Sequence, residues 1–137
     1  MKCDFDISMA STITVSAEKY MYGIVYVWLT HQGTNVILSY AAIADGGEVC
    51  GEGTTVYENK TLTPILHHIL ETEYPEEEDC EASYSWGIQI GDDNDNIISE
   101  VERAYWGEDS ILSLLSCIEK EIGGSEALRS LRTLVEF

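Results

Sequence analysis

The chain has 137 residues, of which 45% are hydrophobic and 23% charged, and 25 acidic against 7 basic residues give it a formal net charge of −18. That length reads as one domain, 1–137, and the apolar share is enough for a real core, which excludes a disordered polyanion. Seven scattered Lys and Arg are too few to neutralise a nucleic-acid backbone or to hold an anionic membrane, so neither is an expected direct ligand.

At the start, Lys2 is followed at once by Asp4 and Asp6 with no apolar run behind them, which does not read as a secretory signal. The most apolar stretch, Met21 to Leu29, is too short to span a bilayer. A cytoplasmic location is expected. There Cys3, Cys50, Cys80 and Cys117 should be thiols, and no C-x-x-C pair suggests metal or redox chemistry.

Ile13 and Val15 alternate with Thr12, Thr14 and Ser16, a two-residue period rich in β-branched side chains that predicts a strand. Tyr22 to Leu29 predicts a second strand, apolar on both faces: Tyr22, Ile24, Tyr26 and Trp28 on one, Val25, Val27 and Leu29 on the other. Such a strand is interior to a sheet or covers a partner. His31 to Thr34 predicts a turn, and Asn35 to Ile43 the returning strand of a hairpin. Gly46, Gly47, Gly51 and Gly53 read as a glycine-rich connection. Glu48 and Glu52 within it, and the lack of a following Gly-Lys-Ser/Thr, argue against phosphate binding.

Thr63-Pro64 reads as a helix start, with Ile65, Leu66, Ile69 and Leu70 on the inner face as far as about Glu73. Tyr74-Pro75 ends it, and Glu76-Glu77-Glu78-Asp79 follow as an acidic loop. Ser83 to Ile90 predicts a strand, and Gly91 to Asn96 a polar turn. Ile97, Ile98, Val101 and Tyr105 share one side of a helical wheel, which predicts a helix over 97–106. Ile111, Leu114, Leu115, Ile118 and Ile122 predict another, closed by Gly123-Gly124. Ser125 then caps a last helix with Leu128, Leu131 and Val135 facing inward and Arg129 and Arg132 outward. Strands first and helices later predict an α+β domain: an antiparallel sheet of about five or six strands with three or four helices on one face.

Glu71 to Asp109 holds 14 acidic residues against one basic, Arg103, a net −13 of the chain's −18. Concentrated like charge lowers stability by self-repulsion, so a cluster that lies between structural elements suggests attraction to something basic. Glu76, Glu77, Glu78, Asp79, Asp92, Asp93 and Asp95 would supply that field, with Tyr105 and Trp106 as buried anchors of a contact. Asp92 to Asn96 is not a calcium loop, because Ile97 and Arg103 stand where a glycine and a bidentate glutamate are needed. His67 and His68 point about 100° apart on a helix, too divergent to share one metal. No catalytic, cofactor or metal motif emerges. The expected function is that of an acidic inhibitory protein that neutralises a basic protein partner. Its most economical form is an immunity protein against a nuclease toxin, since nucleases must be basic to hold their substrate. The resemblance is one of class: small, acidic, mixed α/β. The alternatives are a viral nucleic-acid mimic blocking a DNA-processing or defence enzyme, and a non-enzymatic interaction module, dimeric through the Tyr22–Leu29 strand.

Overall fold

The structure, a computed structural model, describes residues 7–19, 23–72, 84–94, 96–106 and 108–136, with the backbone alone described at 84, 101–106, 108, 109 and 136. The described residues form six strands: β1 (Thr12–Lys19), β2 (Gly23–Gln32), β3 (Asn35–Ala44), β4 (Val49–Glu58), β5 (Tyr84–Gly91) and β6 (Ile97–Trp106). They form one sheet in the order β4-β3-β2-β1-β5-β6, with every neighbouring pair antiparallel. Three helices complete the α+β domain: α1 (Leu62–Glu71), α2 (Glu108–Ile122) and α3 (Glu126–Glu136). A short 3-10 turn, Ile7–Met9, precedes β1.

The expected two-residue period is the one that builds the sheet. Ile13, Val15 and Ala17 of β1 sit opposite Leu29, Val27 and Val25 of β2 and opposite Ile90, Ile88 and Trp86 of β5. All nine are buried and belong to one hydrophobic cluster. Val36, Leu38, Tyr40 and Ala42 extend the same face along β3, and Tyr57 ends it on β4. The helices supply the opposing layer. α1 packs on α2 and touches β2, α2 touches β5 and α3, and α3 touches β3 and β4. Their inner stripes are the expected ones: Ile65, Leu66, Ile69 and Leu70 on α1, Ile111, Leu114, Leu115, Ile118 and Ile122 on α2, and Leu128, Leu131 and Val135 on α3.

The helix boundaries follow backbone satisfaction. α1 begins two residues earlier than its Thr-Pro signal, with Thr61 at the N-cap and Pro64 in the first turn, where a missing N–H leaves no bond unmade. α2 ends on Gly123, whose φ of +89° is costly for other residues. The Ser125 hydroxyl accepts the Leu128 N–H at 3.1 Å and the Tyr57 hydroxyl at 2.6 Å. One oxygen therefore caps α3 and fastens the edge strand β4 to it.

Two expectations are overturned. Residues 97–106 form strand β6, not a helix, and so Tyr105 and Trp106 lie in a strand paired with Trp86 and Ser85. Ile97, Val101 and Tyr105 are four apart, a spacing that fits a period of two as well as one of 3.6. β-branched and aromatic side chains, and the tight return at 91–96, favour the strand. The glycine-rich stretch is likewise not all connection, since Gly51 and Gly53 lie within β4. A Cβ on Gly53 would stand 2.7 Å from the Tyr40 ring, and one on Gly51 3.0 Å from Leu134. Gly53 lets the Tyr40 ring cross the edge strand where a side chain would collide, and Gly51 gives Leu134 a tight seat.

Gly53→Ala is therefore expected to destabilise the fold by about 1–3 kcal/mol through overpacking against buried Tyr40. Gly46→Ala, at a residue whose added Cβ meets nothing within 4 Å, is the neutral control. Urea midpoints of the two variants decide the matter, and equal midpoints would contradict the close approach.

Candidate functional site

The helix layer covers one face of the sheet, and among the described residues the other face carries half-buried and exposed side chains. The pairing register places Thr12, Thr14, Ser16 and Glu18 of β1 on it, with Ile24, Tyr26, Trp28, Thr30 and Gln32 of β2. Asn35, Ile37, Ser39, Ala41 and Ile43 of β3 and Glu52, Thr54, Val56 and Glu58 of β4 continue the surface, and Gly87 and Gln89 add to it from β5. These positions alternate with the buried ones and are half-buried or exposed.

Tyr26 and Trp28, two apart on β2, point the same way and stack, with centroids 5.5 Å apart and planes within 10°. Such a pair contributes about 0.5–1.5 kcal/mol beyond its buried area. Small residues flank it: Ser16 and Ala41 beside Tyr26, Thr14 and Ser39 beside Trp28. The rings form a ridge above a shallow floor. The Ser39 and Thr54 hydroxyls meet at 3.2 Å on one side of it.

Among the described side chains, charge on this face has one sign. Glu18, Glu52 and Glu58 stand on β1 and β4, and Glu100 on β6 is held beside the face by the Gln89 amide, which donates to it at 3.1 Å. The Lys and Arg whose side chains are described lie elsewhere: Lys19 in helix-side register, Lys60 after β4, Lys120 on α2, and Arg129 and Arg132 on α3. Arg132 is spent within the helix layer, donating to Ser116 at 2.9 Å and to Glu119 at 3.1 Å.

Of the acidic residues singled out from sequence, the structure describes Asp92 and Asp93. Glu76, Glu77, Glu78, Asp79 and Asp95 lie outside the described residues. Asp92 and Asp93 sit in the β5–β6 turn, whereas Tyr105 and Trp106 end β6 at its far end, about 30 Å away at the rise of an extended strand. The side chains of Tyr105 and Trp106 are outside the described set. Asp92 shapes its own turn, because its carboxylate accepts the backbone N–H of Asn94 at 2.9 Å and of Asn96 at 3.0 Å. The Asn96 bond above all holds its carboxyl below the usual carboxylate value, with burial acting the other way. Asp93 accepts the Ser11 hydroxyl, tying the turn to the start of β1.

The two histidines diverge as expected. His67 is exposed, 3.8 Å from Glu71, whereas His68 turns inward to meet Glu121 of α2 at 2.9 Å. His68, Thr72, Leu112, Ser113, Ser116, Cys117 and Lys120 line a concavity of about 410 Å³ between α1 and α2. There the buried Cys117 thiol meets the Thr72 hydroxyl at 3.2 Å, and the imidazole is engaged by Glu121. Among the described residues, no three His, Cys, Asp or Glu converge as metal ligands, and no helix is long and apolar enough to cross a membrane. No protein-family model, curated protein or solved structure matches the chain.

Charge counting along the chain did not reveal the open face, because its carboxylates come from separated strands. The available signal was the aromatic side of the Tyr22–Leu29 alternation, which names Tyr26 and Trp28.

A carboxylate held low stabilises the fold above its unfolded pKa of about 3.9, and that contribution is lost as pH falls through the lower folded value. Asp92→Ala should therefore speed hydrogen exchange at the Asn94 and Asn96 amides at neutral pH. The stability gap to the wild type should close in strong acid. A gap independent of pH would show that the turn is held by something else.

Proposed function

We propose that the protein is an acidic inhibitory binding protein that captures one basic protein and blocks it, in its most economical form a cytoplasmic immunity protein that neutralises a nuclease toxin. The observation that carries this reading is the open sheet face, where an aromatic ridge is bordered by carboxylates alone among the described charged residues. A nuclease surface must be basic to hold phosphates, so it presents the complementary charge. Fixed carboxylates steer such a partner in, and a small rigid aromatic pair gives the contact its core. Glu76 to Asp79 add to the chain's negative charge. The function needs no cofactor, metal or turnover.

The test is a pull-down with the full chain at physiological and at high salt, followed by assay of the captured protein. A single basic nuclease retained at both salts, and silenced at a one-to-one ratio, is the expected result. Inhibition of several unrelated DNA enzymes in competition with DNA would replace this reading with the nucleic-acid mimic. A salt-independent homodimer with no captured partner would replace it with the interaction module. Reversing Glu76, Glu77, Glu78 and Asp79 to lysine is expected to slow association by about tenfold or more at low salt. An unchanged rate would reduce that loop to solvation.

A further inference from the structure

We propose that the Tyr26–Trp28 stack is an arginine-binding subsite: a guanidinium of the basic partner extends the stack and forks to a neighbouring carboxylate. This rests on the reading of the protein as a binder of a basic protein and names the chemistry of its anchor. Each ring gives one face to the pair, and among the described residues neither has another ring against its second face. Both rings remain part-exposed; Thr14, Ser16, Ser39 and Ala41 flank them across the ladder, and along β2 the shorter Ile24 and Thr30 stand next to Tyr26 and Trp28. Beyond those shorter side chains, the stack has no further planar group among the described residues.

The surroundings select which planar group. Glu18 pairs with Ile24 and so lies diagonal to Tyr26, roughly 7–8 Å away across the ladder. Glu52 closes the row Ser16, Tyr26, Ala41, Glu52, two strands or about 10 Å from the ring. Either is within reach of a side chain that lies flat on Tyr26 and carries donors at its rim. Guanidinium is planar, weakly hydrated and presents a fork of donors that matches a carboxylate; an ammonium is compact, strongly hydrated and makes neither the stack nor the fork as well. Four acidic residues border the face with no described base among them. A second copy of the chain would bring like charges together, and an anionic ligand would meet the same repulsion. A cationic side chain with an aromatic-seeking face is the complementary occupant.

Calorimetric titration of the full chain with hexa-arginine and hexa-lysine, equal in charge, separates the subsite from the field. The wild type is expected to bind hexa-arginine about three- to fivefold more tightly. Tyr26→Leu and Trp28→Leu keep an apolar cover on the face but remove the π surface, and should bring that ratio toward one by weakening hexa-arginine binding more than hexa-lysine binding. Glu18→Gln with Glu52→Gln should weaken both peptides. Amide shift changes in the wild type on adding hexa-arginine should centre on β2 around Tyr26 and Trp28. A wild-type ratio of one, a ratio that survives the leucine variants, or shifts centred away from β2 would each overturn the arginine subsite while leaving the acidic field standing. Absence of binding by either peptide at low salt would overturn both the subsite and the proposed function.

Discussion

Everything in this molecule depends on β1 being paired on both sides. It zips to β2 through eight consecutive residue pairs, Thr12↔Thr30 to Lys19↔Gly23, and to β5 through another eight, Thr12↔Gly91 to Lys19↔Tyr84. Ser11 extends the junction, taking the Gly91 carbonyl with its N–H and giving its own carbonyl to the His31 N–H, both at 2.8 Å. The first side belongs to a meander β1–β4 formed by neighbours in sequence. The second joins residues some 70 positions apart and closes only after β4 and α1 have been laid down. The entropy of that long closure is offset where Trp86, Ile88 and Ile90 enter the cluster with Ile13, Val15 and Ala17. Without that second side the β5–β6 hairpin has no place in the sheet, and α2 loses the β5 part of its seat.

One-sided cover follows from the same alternation. Each helix has a single apolar stripe, so three helices make one layer, and the sheet positions facing away must be compatible with water. β1 meets this with Thr, Ser and Glu. β4 meets it with Glu52, Thr54 and Glu58, whose charges also guard an outer strand against pairing with another copy. β2 does not follow the pattern, because Ile24, Tyr26 and Trp28 occupy its outward positions. A stacked aromatic pair on the open side does nothing for the core. With Ile37 and Ile43 outward on β3, it departs from a polar-out rule that β1 and most of β4 obey, and such departures concentrate where a protein meets something else.

Most of the fold was legible because the stripes were strong. Ile13 and Val15, the Tyr22–Leu29 run, the α2 stripe and the Ser125 cap each state a period or a boundary that no neighbouring residue contradicts. The failures came where local pattern was ambiguous and partners decided. Residues 97–106 fit two periods, and pairing with β5 chose the strand. Gly51 and Gly53 look like breakers in a sequence, yet Leu134 and Tyr40 need the space above them, and both lie far off along the chain. The candidate site was legible only in half. Tyr26 and Trp28 stood out as one side of a two-faced strand, but the carboxylates around them come from β1, β4 and β6, and nothing in sequence places those strands in the order β4-β3-β2-β1-β5-β6.

That strand order also sets how charge and aromatic surface divide the work of the proposed capture. Exposed carboxylates spread over a face contribute little to the strength of any one contact, since each pair is screened and solvated. Their summed field acts earlier, on the rate and direction of approach. Holding the partner requires a group that loses water on contact and fits one geometry, and Tyr26 with Trp28 is the described feature of the face with that property. Glu18 lies on the strand next to the rings, and Glu52 two strands away on the outer strand β4. A cation drawn in by the border is thus delivered to the ridge, whereas an uncharged apolar surface has no reason to arrive and an acidic one is turned away. The same arrangement opposes self-association through the part-exposed rings: two copies, each at −18, would have to bring their carboxylate borders together before the aromatics could touch.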